Sequence, residues 1–137
     1  MNSRNFAISR MRLHDARELR AYGKSPELVT ECCPEAARLP SSEQFGLASQ
    51  LRRAAISVPA NILEGCGRLH RGDYIHHVSI ARGSSWELHA HFDVACELGI
   101  VEEGDLTRVR DLVDHVSSIL RRLATGLRKL GTNARAR

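Results

Sequence analysis

The stretch QLRRAAISVPANILEGCGR, residues 50–68, combines an apolar helical stripe with polar side chains that a plain core helix does not need. Its apolar residues recur every three or four positions, which places them on one face of an α-helix: Leu51, Ala55, Val58 and Ile62. The polar residues between them are Arg52, Arg53, Ser57, Asn61 and Glu64. This pattern predicts a helix that packs its apolar face against other helices.

Proline and glycine shape the end of this helix. Pro59 lacks a backbone N–H, so it predicts a bend in the last turns. Gly65 and Gly67 follow the last turn, and Gly65 is the candidate for a left-handed C-terminal position. At the other end, residues 41–44 (SSEQ) offer a hydroxyl cap. We therefore expect the second helix to run from this cap to about Glu64.

A third helix is predicted from Gly72 or Asp73 to the Leu98-Gly99 pair, with Asp73 as its cap. Its apolar stripe is Tyr74, Val78, Ala81, Ser85, Leu88, Phe92 and Ala95.

A fourth helix should begin between Glu102 and Asp105 and end at Leu130, before Gly131. Its stripe is Leu106, Val109, Val113, Val116, Leu120, Leu123, Leu127 and Leu130. Leu112 and Ile119 widen this apolar face on one flank. The wider face indicates either a broad core side or a second interface, within the bundle or between subunits.

The first helical segment, residues 14–38, is interrupted by Gly23, Pro26 and Pro34. Because an interior proline commonly breaks a helix, we expect two pieces, with Ser25 as the cap of the second. The helical spacing is carried by Leu19, Tyr22, Leu28, Val29, Cys32 and Ala36.

A chain of 137 residues fits one domain. We expect a flexible basic extension at residues 1–13, a four-helix bundle at 14–131 and a disordered basic tail at 132–137. The net charge is +4 at pH 7, which permits binding of nucleic acid or of an acidic partner. The N-terminus lacks a secretory apolar segment and no apolar run is long enough to span a membrane, so we expect a cytoplasmic protein.

The cysteine, histidine, carboxylate and serine side chains that could bind a metal or catalyse a reaction are better explained by structural roles. None of the four cysteines forms a Cys-x-x-Cys pair, which favours free thiols over a metal site or disulfides. Glu87 and His91 lie one helical turn apart, but this histidine falls beside the apolar stripe rather than within it. Ser84 and Ser85 lie in mid-helix, where a serine elbow cannot form. We therefore predict no enzyme, no metal and no cofactor.

A set of polar residues lies close to the apolar stripes of helices two and three. Because buried carboxylates must be paired or protonated, arginines are expected to accompany them. We predict that this set fixes helix register or an interface, and it comprises Arg53, Asn61, Glu64, Arg82 and Glu87.

The same residues carry a family resemblance. Residues 43–68 read E-x-F-G-L-x-x-Q-L-R-R-A-x-x-S-V-P-x-N-I-x-E-G-x-G-R, residues 80–88 read I-A-R-G-S-x-x-E-L, and residues 97–99 read E-L-G. Over residues 19–130 the chain resembles the four-helix-bundle proteins encoded in intervening sequences of bacterial 23S ribosomal RNA genes. The resemblance implies an all-α, antiparallel, up-and-down four-helix bundle. It also implies a homopentameric ring with basic surfaces, as in the related accessory proteins of diversity-generating retroelements.

Two functions remain open from the sequence. The first is a non-enzymatic oligomer that binds structured RNA or DNA through arginines repeated around a ring. The candidate contacts are Arg52, Arg68, Arg71, Arg121, Arg122 and Arg128. The alternative is a protein-interaction scaffold that docks a partner such as a reverse transcriptase, or only itself, with no direct nucleic-acid role.

Overall fold

The computed structural model describes the backbone of residues 16–44 and 46–135, and this part of the chain is helical, without strands. Its four α-helices are α1 (Ala16–Arg38), α2 (Leu47–Cys66), α3 (Arg71–Glu97) and α4 (Thr107–Arg135). Short 3₁₀ helices at Ser41–Glu43 and Glu103–Leu106 lie in two of the connections. The predicted extension, residues 1–13, lies outside the described residues.

Each helix packs against the next one in the chain, and α1 also packs against α4. Between α2 and α3, Arg53 contacts Glu87 while Asn61 contacts His77, so rising numbers on one helix meet falling numbers on the other. These neighbours are therefore antiparallel. None of the four helices combines the length and the apolarity that crossing a bilayer would require.

The predicted apolar stripes form the core. Every stripe residue of α2 and α3 is buried, and so are the α4 stripe residues up to Leu127. Leu130 is the exception, because its side chain is 51% exposed. Ile119 is buried and Leu112 packs against the core, so the second apolar set of α4 serves the inside of the bundle.

The first helix is continuous, and the prediction of two pieces is wrong. Both Pro26 and Pro34 lie inside α1. Pro26 cannot donate to the carbonyl of Tyr22 four residues earlier, but the Ser25 hydroxyl donates to that carbonyl at 3.1 Å. Ser25 is fully buried. Its side chain therefore replaces the missing backbone hydrogen bond, and it is not a helix cap.

The second helix ends at Cys66, and Gly65 lies within it rather than in a left-handed cap. Gly65 is buried, and a Cβ at this position would lie 2.7 Å from Cδ2 of Tyr74. Its missing side chain thus allows close approach of α3. Among the described residues, Gly99 is the glycine with a positive φ, 67°, directly after α3.

The predicted hydroxyl cap of α2 is also wrong, because Ser41–Glu43 forms a separate 3₁₀ helix and α2 begins after Gly46. Similarly, α3 begins at Arg71, so Asp73 lies in its first turn and is not its cap. The fourth helix continues past Leu130 to Arg135. Gly131 does not stop it, because this glycine keeps a negative φ.

Candidate nucleic-acid interface

The second half of α4 carries three cationic side chains, Arg121, Arg122 and Lys129. Arg121, Thr125 and Lys129 are spaced four residues apart, so they lie along one side of the helix. All three are exposed, as is Arg122. Because an α-helix rises about 1.5 Å per residue, the row from Arg121 to Lys129 is about 12 Å long.

A fourth cation reaches this row from α1. Arg17 lies across Gly126 of α4, and a Cβ on Gly126 would lie 2.8 Å from Cζ of Arg17. Any larger residue at position 126 would displace the guanidinium. The absence of a side chain at Gly126 therefore sets where Arg17 sits.

Together these residues enclose a cavity of about 260 Å³, which we call the basic cleft. Its lining is Arg17, Arg121, Arg122, Thr125, Gly126 and Lys129. Among the described residues that line it, four of six are cationic and none is acidic. A concave surface lined by one sign of charge attracts the opposite sign, so the basic cleft is suited to anions.

The structure brings only some of the predicted arginines to this surface. Arg121 and Arg122 line the basic cleft, and Arg128 is exposed on the same helix. Arg71, at the start of α3, reaches α4, because its Nη1 lies 3.0 Å from the position of a Cβ on Gly131.

Arg52 and Arg68 are engaged within the chain instead. Arg52 donates to Oε1 of Gln44 at 3.0 Å, while Nε2 of Gln44 donates to the carbonyls of Ala36 and Leu39 at the end of α1. Arg68 pairs with Glu64 across one turn at the end of α2. Their first role is therefore to hold helix ends.

Arg17 and Lys129 are cleft residues that the sequence reasoning did not name. Lys129 could have been found, since it lies two turns beyond Arg121 on the same side of a helix that the pattern predicts. Arg17 could not, because only the packing of α1 against α4 brings it to Gly126.

Most of the predicted polar set does join α2 to α3. Arg53 pairs with Glu87, and Asn61 Oδ1 lies 3.0 Å from Nδ1 of His77. The Asn61 amide donates to Oγ of Ser57 at 3.1 Å, and this hydroxyl lies 2.9 Å from that of Ser84, another contact between the helices.

Two members of the predicted polar set lie away from this chain of contacts. Glu64 lies 3.8 Å from Nε2 of His77, at the margin of the set. The Arg82 side chain is exposed, and it takes no part in the contacts found between α2 and α3.

A second arginine network fastens α4 to the end of α3. Arg110 Nη2 donates to Asp93 at 2.8 Å and to Glu103 at 2.9 Å. Burial lowers the pKa of Arg110, but the hydrogen bonds to Glu103 and Asp93 outweigh it and raise the pKa above its ordinary value. The pattern of apolar stripes gives no signal for this network.

The end of the bundle opposite the basic cleft is acidic. A hollow of about 340 Å³ lies between the end of α1 and the α3–α4 connection. We call it the acidic hollow, and its charged lining residues are Glu35, Arg38, Glu102 and Asp105. Arg38 pairs with Glu35 at 3.2 Å, which leaves an excess of carboxylates.

The side of α3 that faces away from the bundle carries three large exposed apolar side chains. We call it the outer face of α3, and its large side chains are Ile80, Trp86 and Val94, which are 38%, 57% and 47% exposed. Gly83 and Ala90 lie between them. Small residues on a helix surface allow close approach of another helix.

The thiols of all four cysteines are free in the structure. Burial, with neighbouring Cys33 and two carboxylates, raises the pKa of Cys32 to about 12. Burial also raises the pKa of Cys66, whose thiol donates to the Tyr74 hydroxyl at 3.1 Å. Within the described part of the chain, no three histidine, cysteine or carboxylate side chains come together as a metal site would require.

Comparison with known proteins agrees with this architecture. A family model described as 23S rRNA-intervening sequence protein matches residues 17–122. A solved structure from Bacteroides thetaiotaomicron, described as a protein with unknown function from the S23 ribosomal protein family, has a similar fold with a TM-score of 0.73. The two sequences are 17% identical, and the similarity covers 80% of this chain and 98% of the other. No curated protein matches this chain.

Proposed function

This chain belongs to the 23S rRNA-intervening sequence protein family, and we propose that it is a non-enzymatic, cytoplasmic oligomer that binds structured RNA or DNA through its basic cleft. The observation that carries the proposal is the meeting of Arg17 from α1 with Arg121, Arg122 and Lys129 from α4 around one cavity. Contacts to phosphates supply most non-specific affinity for nucleic acids, and arginine suits them because of its planar guanidinium.

The oligomer that we propose is a homopentameric ring. Its support from the structure is the outer face of α3, where Trp86 is 57% exposed between small residues. Exposed apolar faces of this kind mark interaction sites, and tryptophan is enriched at the centre of interfaces. A ring would display the basic cleft several times, so that weak contacts add up along one nucleic acid.

The proposed binding can be tested with one charge reversal and its control. We expect the purified protein to bind a structured RNA, with an affinity that falls steeply as salt rises. Arg121→Glu should weaken this binding. Arg38→Glu, at the opposite end of α1, should leave it unchanged because Arg38 lies in the acidic hollow. If affinity is independent of salt, or if both variants bind like the wild type, the basic cleft is not a nucleic-acid site.

A second candidate function uses the outer face of α3 differently. Trp86 and the exposed Arg82 one turn away are residue types that dominate protein interfaces. In this case the face docks another protein, such as a reverse transcriptase, and the arginines of the basic cleft are solvent-exposed charges. This function predicts that Arg121→Glu leaves partner capture intact and that Trp86→Ser abolishes it.

A further inference from the structure

The described residues of the basic cleft do not include the aromatic side chains that usually hold single-stranded nucleic acids. Proteins that bind single strands stack the bases on aromatic rings, while a positive groove follows the backbone. None of the six cleft residues is aromatic. The aromatic side chains that the structure describes lie elsewhere: Tyr22, Tyr74 and Phe92 pack in or against the core, and Trp86 lies on the outer face of α3. The described residues of the basic cleft thus offer contacts to phosphates rather than a platform for bases.

The cations of the basic cleft are also mounted on rigid helices. Arg121, Arg122 and Lys129 belong to one continuous helix, and Arg17 faces them from the antiparallel neighbour. A base-paired helix holds its phosphates at a fixed spacing, so on binding to cations that are carried by fixed helices it needs no further ordering of its own. An unpaired strand would have to be ordered on the cleft, and no base stacking would offset that loss of entropy.

We propose that the basic cleft takes the phosphodiester backbone of base-paired nucleic acid, and that Gly126 creates the site by letting Arg17 lie across α4. This inference rests on the proposed nucleic-acid function and specifies its ligand and one binding residue. In each basic cleft that engages a DNA duplex, four cations facing four phosphates would contribute about −3.6 to the slope of log K against log salt.

The test uses two substitutions that act on the same guanidinium. Gly126→Ala places a methyl group where the Arg17 guanidinium lies, so it displaces that flexible side chain while the helix is retained. Arg17→Ala removes the side chain. The matched control is Gly23→Ala, a helical glycine of α1 whose added Cβ would meet no atom within 4 Å. The probes are an RNA duplex, a DNA duplex of the same sequence, and the corresponding unpaired strands.

We expect both duplexes to bind more tightly than the unpaired strands at the same salt concentration, and their relative affinities to identify the preferred backbone. Gly126→Ala and Arg17→Ala should each weaken duplex binding about fivefold, which corresponds to an exposed ion pair. Each should also make the DNA salt slope shallower by about 0.9. Gly23→Ala should behave like the wild type.

Different failures have different meanings. If no probe binds, the proposed function itself is wrong. If unpaired strands bind as tightly as duplexes, the protein binds nucleic acid but the assignment to base-paired ligands is overturned. If Arg121→Glu weakens binding while Gly126→Ala and Arg17→Ala do not, the role given to Gly126 and Arg17 is wrong.

Discussion

The Tyr74 ring of α3 packs directly on Gly65 of α2, so closely that a Cβ on Gly65 would lie 2.7 Å from Cδ2 of Tyr74 and 3.0 Å from Cβ of His77. The Cys66 thiol donates to the Tyr74 hydroxyl at 3.1 Å beside this contact. The end of α2 and the beginning of α3 are therefore held together by a buried ring that leaves no room for an additional methyl group.

Gly65→Ala should destabilise the fold. Overpacking costs about 1–3 kcal/mol, whereas alanine gains up to about 1 kcal/mol over glycine in a helix, so we expect a net loss of up to about 2 kcal/mol. Urea denaturation would measure it. Gly23→Ala, which gains the same helix propensity without a contact, should be stabilising. Equal effects of the two substitutions would show that the Tyr74 contact does not limit the site.

Ser25→Ala should cost about 1–3 kcal/mol, because it leaves the partly buried Tyr22 carbonyl without the donor that replaces the missing N–H of Pro26. In a Pro26→Ala background the backbone N–H is restored, and Ser25→Ala should cost much less. A double-mutant cycle of unfolding free energies would measure this coupling. If the two substitutions are additive, the hydroxyl does not compensate for the proline.

Trp86→Ser should dissociate the proposed ring, since truncating a central interface tryptophan typically costs at least about 2 kcal/mol. Native mass measurement should give a pentamer for the wild type and smaller species for the variant. Leu69→Ser is the control, because Leu69 is 96% exposed but lies between α2 and α3, off the outer face of α3. A monomeric wild type would refute the assembly, and a pentameric Trp86→Ser variant would exclude this face as its interface.

Alkaline pH should destabilise the fold partly through Cys32. Burial raises the pKa of this thiol from 9.0 to about 12 in the folded state. The unfolded chain therefore loses the proton first, and the stabilisation that is present below about pH 9 is lost as pH rises towards 12. Between pH 8 and pH 10 this group should remove about 1.4 kcal/mol of the unfolding free energy. Cys32→Ala should show a correspondingly flatter pH dependence, and identical slopes would contradict the assignment.

The helices and the core could be predicted from the sequence because each apolar stripe follows a helical period, as in α2 and α3, where every predicted stripe residue is buried. The continuity of α1 could not, since it depends on one hydroxyl, that of Ser25, reaching a particular carbonyl. Gly65 was assigned to a left-handed cap because the sequence does not show that Tyr74 packs on it.

The candidate site was predictable only in part. Arg121 and Arg122 could be named as exposed arginines of a helix, but their meeting with Arg17 depends on the closing of the bundle by its first and last helices. Arg52 donates to Gln44, and Gln44 in turn donates to a carbonyl at the end of α1. No periodic pattern in the sequence indicates these contacts. The helical pattern thus showed which charged side chains lie on the surface of a helix, and the packing of the helices decided which of them lie together.

The acidic hollow and the basic cleft place opposite charges at the two ends of the bundle. Glu35 and Arg17 belong to opposite ends of α1, about 27 Å apart along its axis at 1.5 Å per residue. In the field of such a charge separation, a polyanion is repelled by one end and attracted by the other before any contact forms. Under the proposed function, a nucleic acid that collides in the wrong orientation would be turned before it binds, so this charge separation would also set its angle of approach.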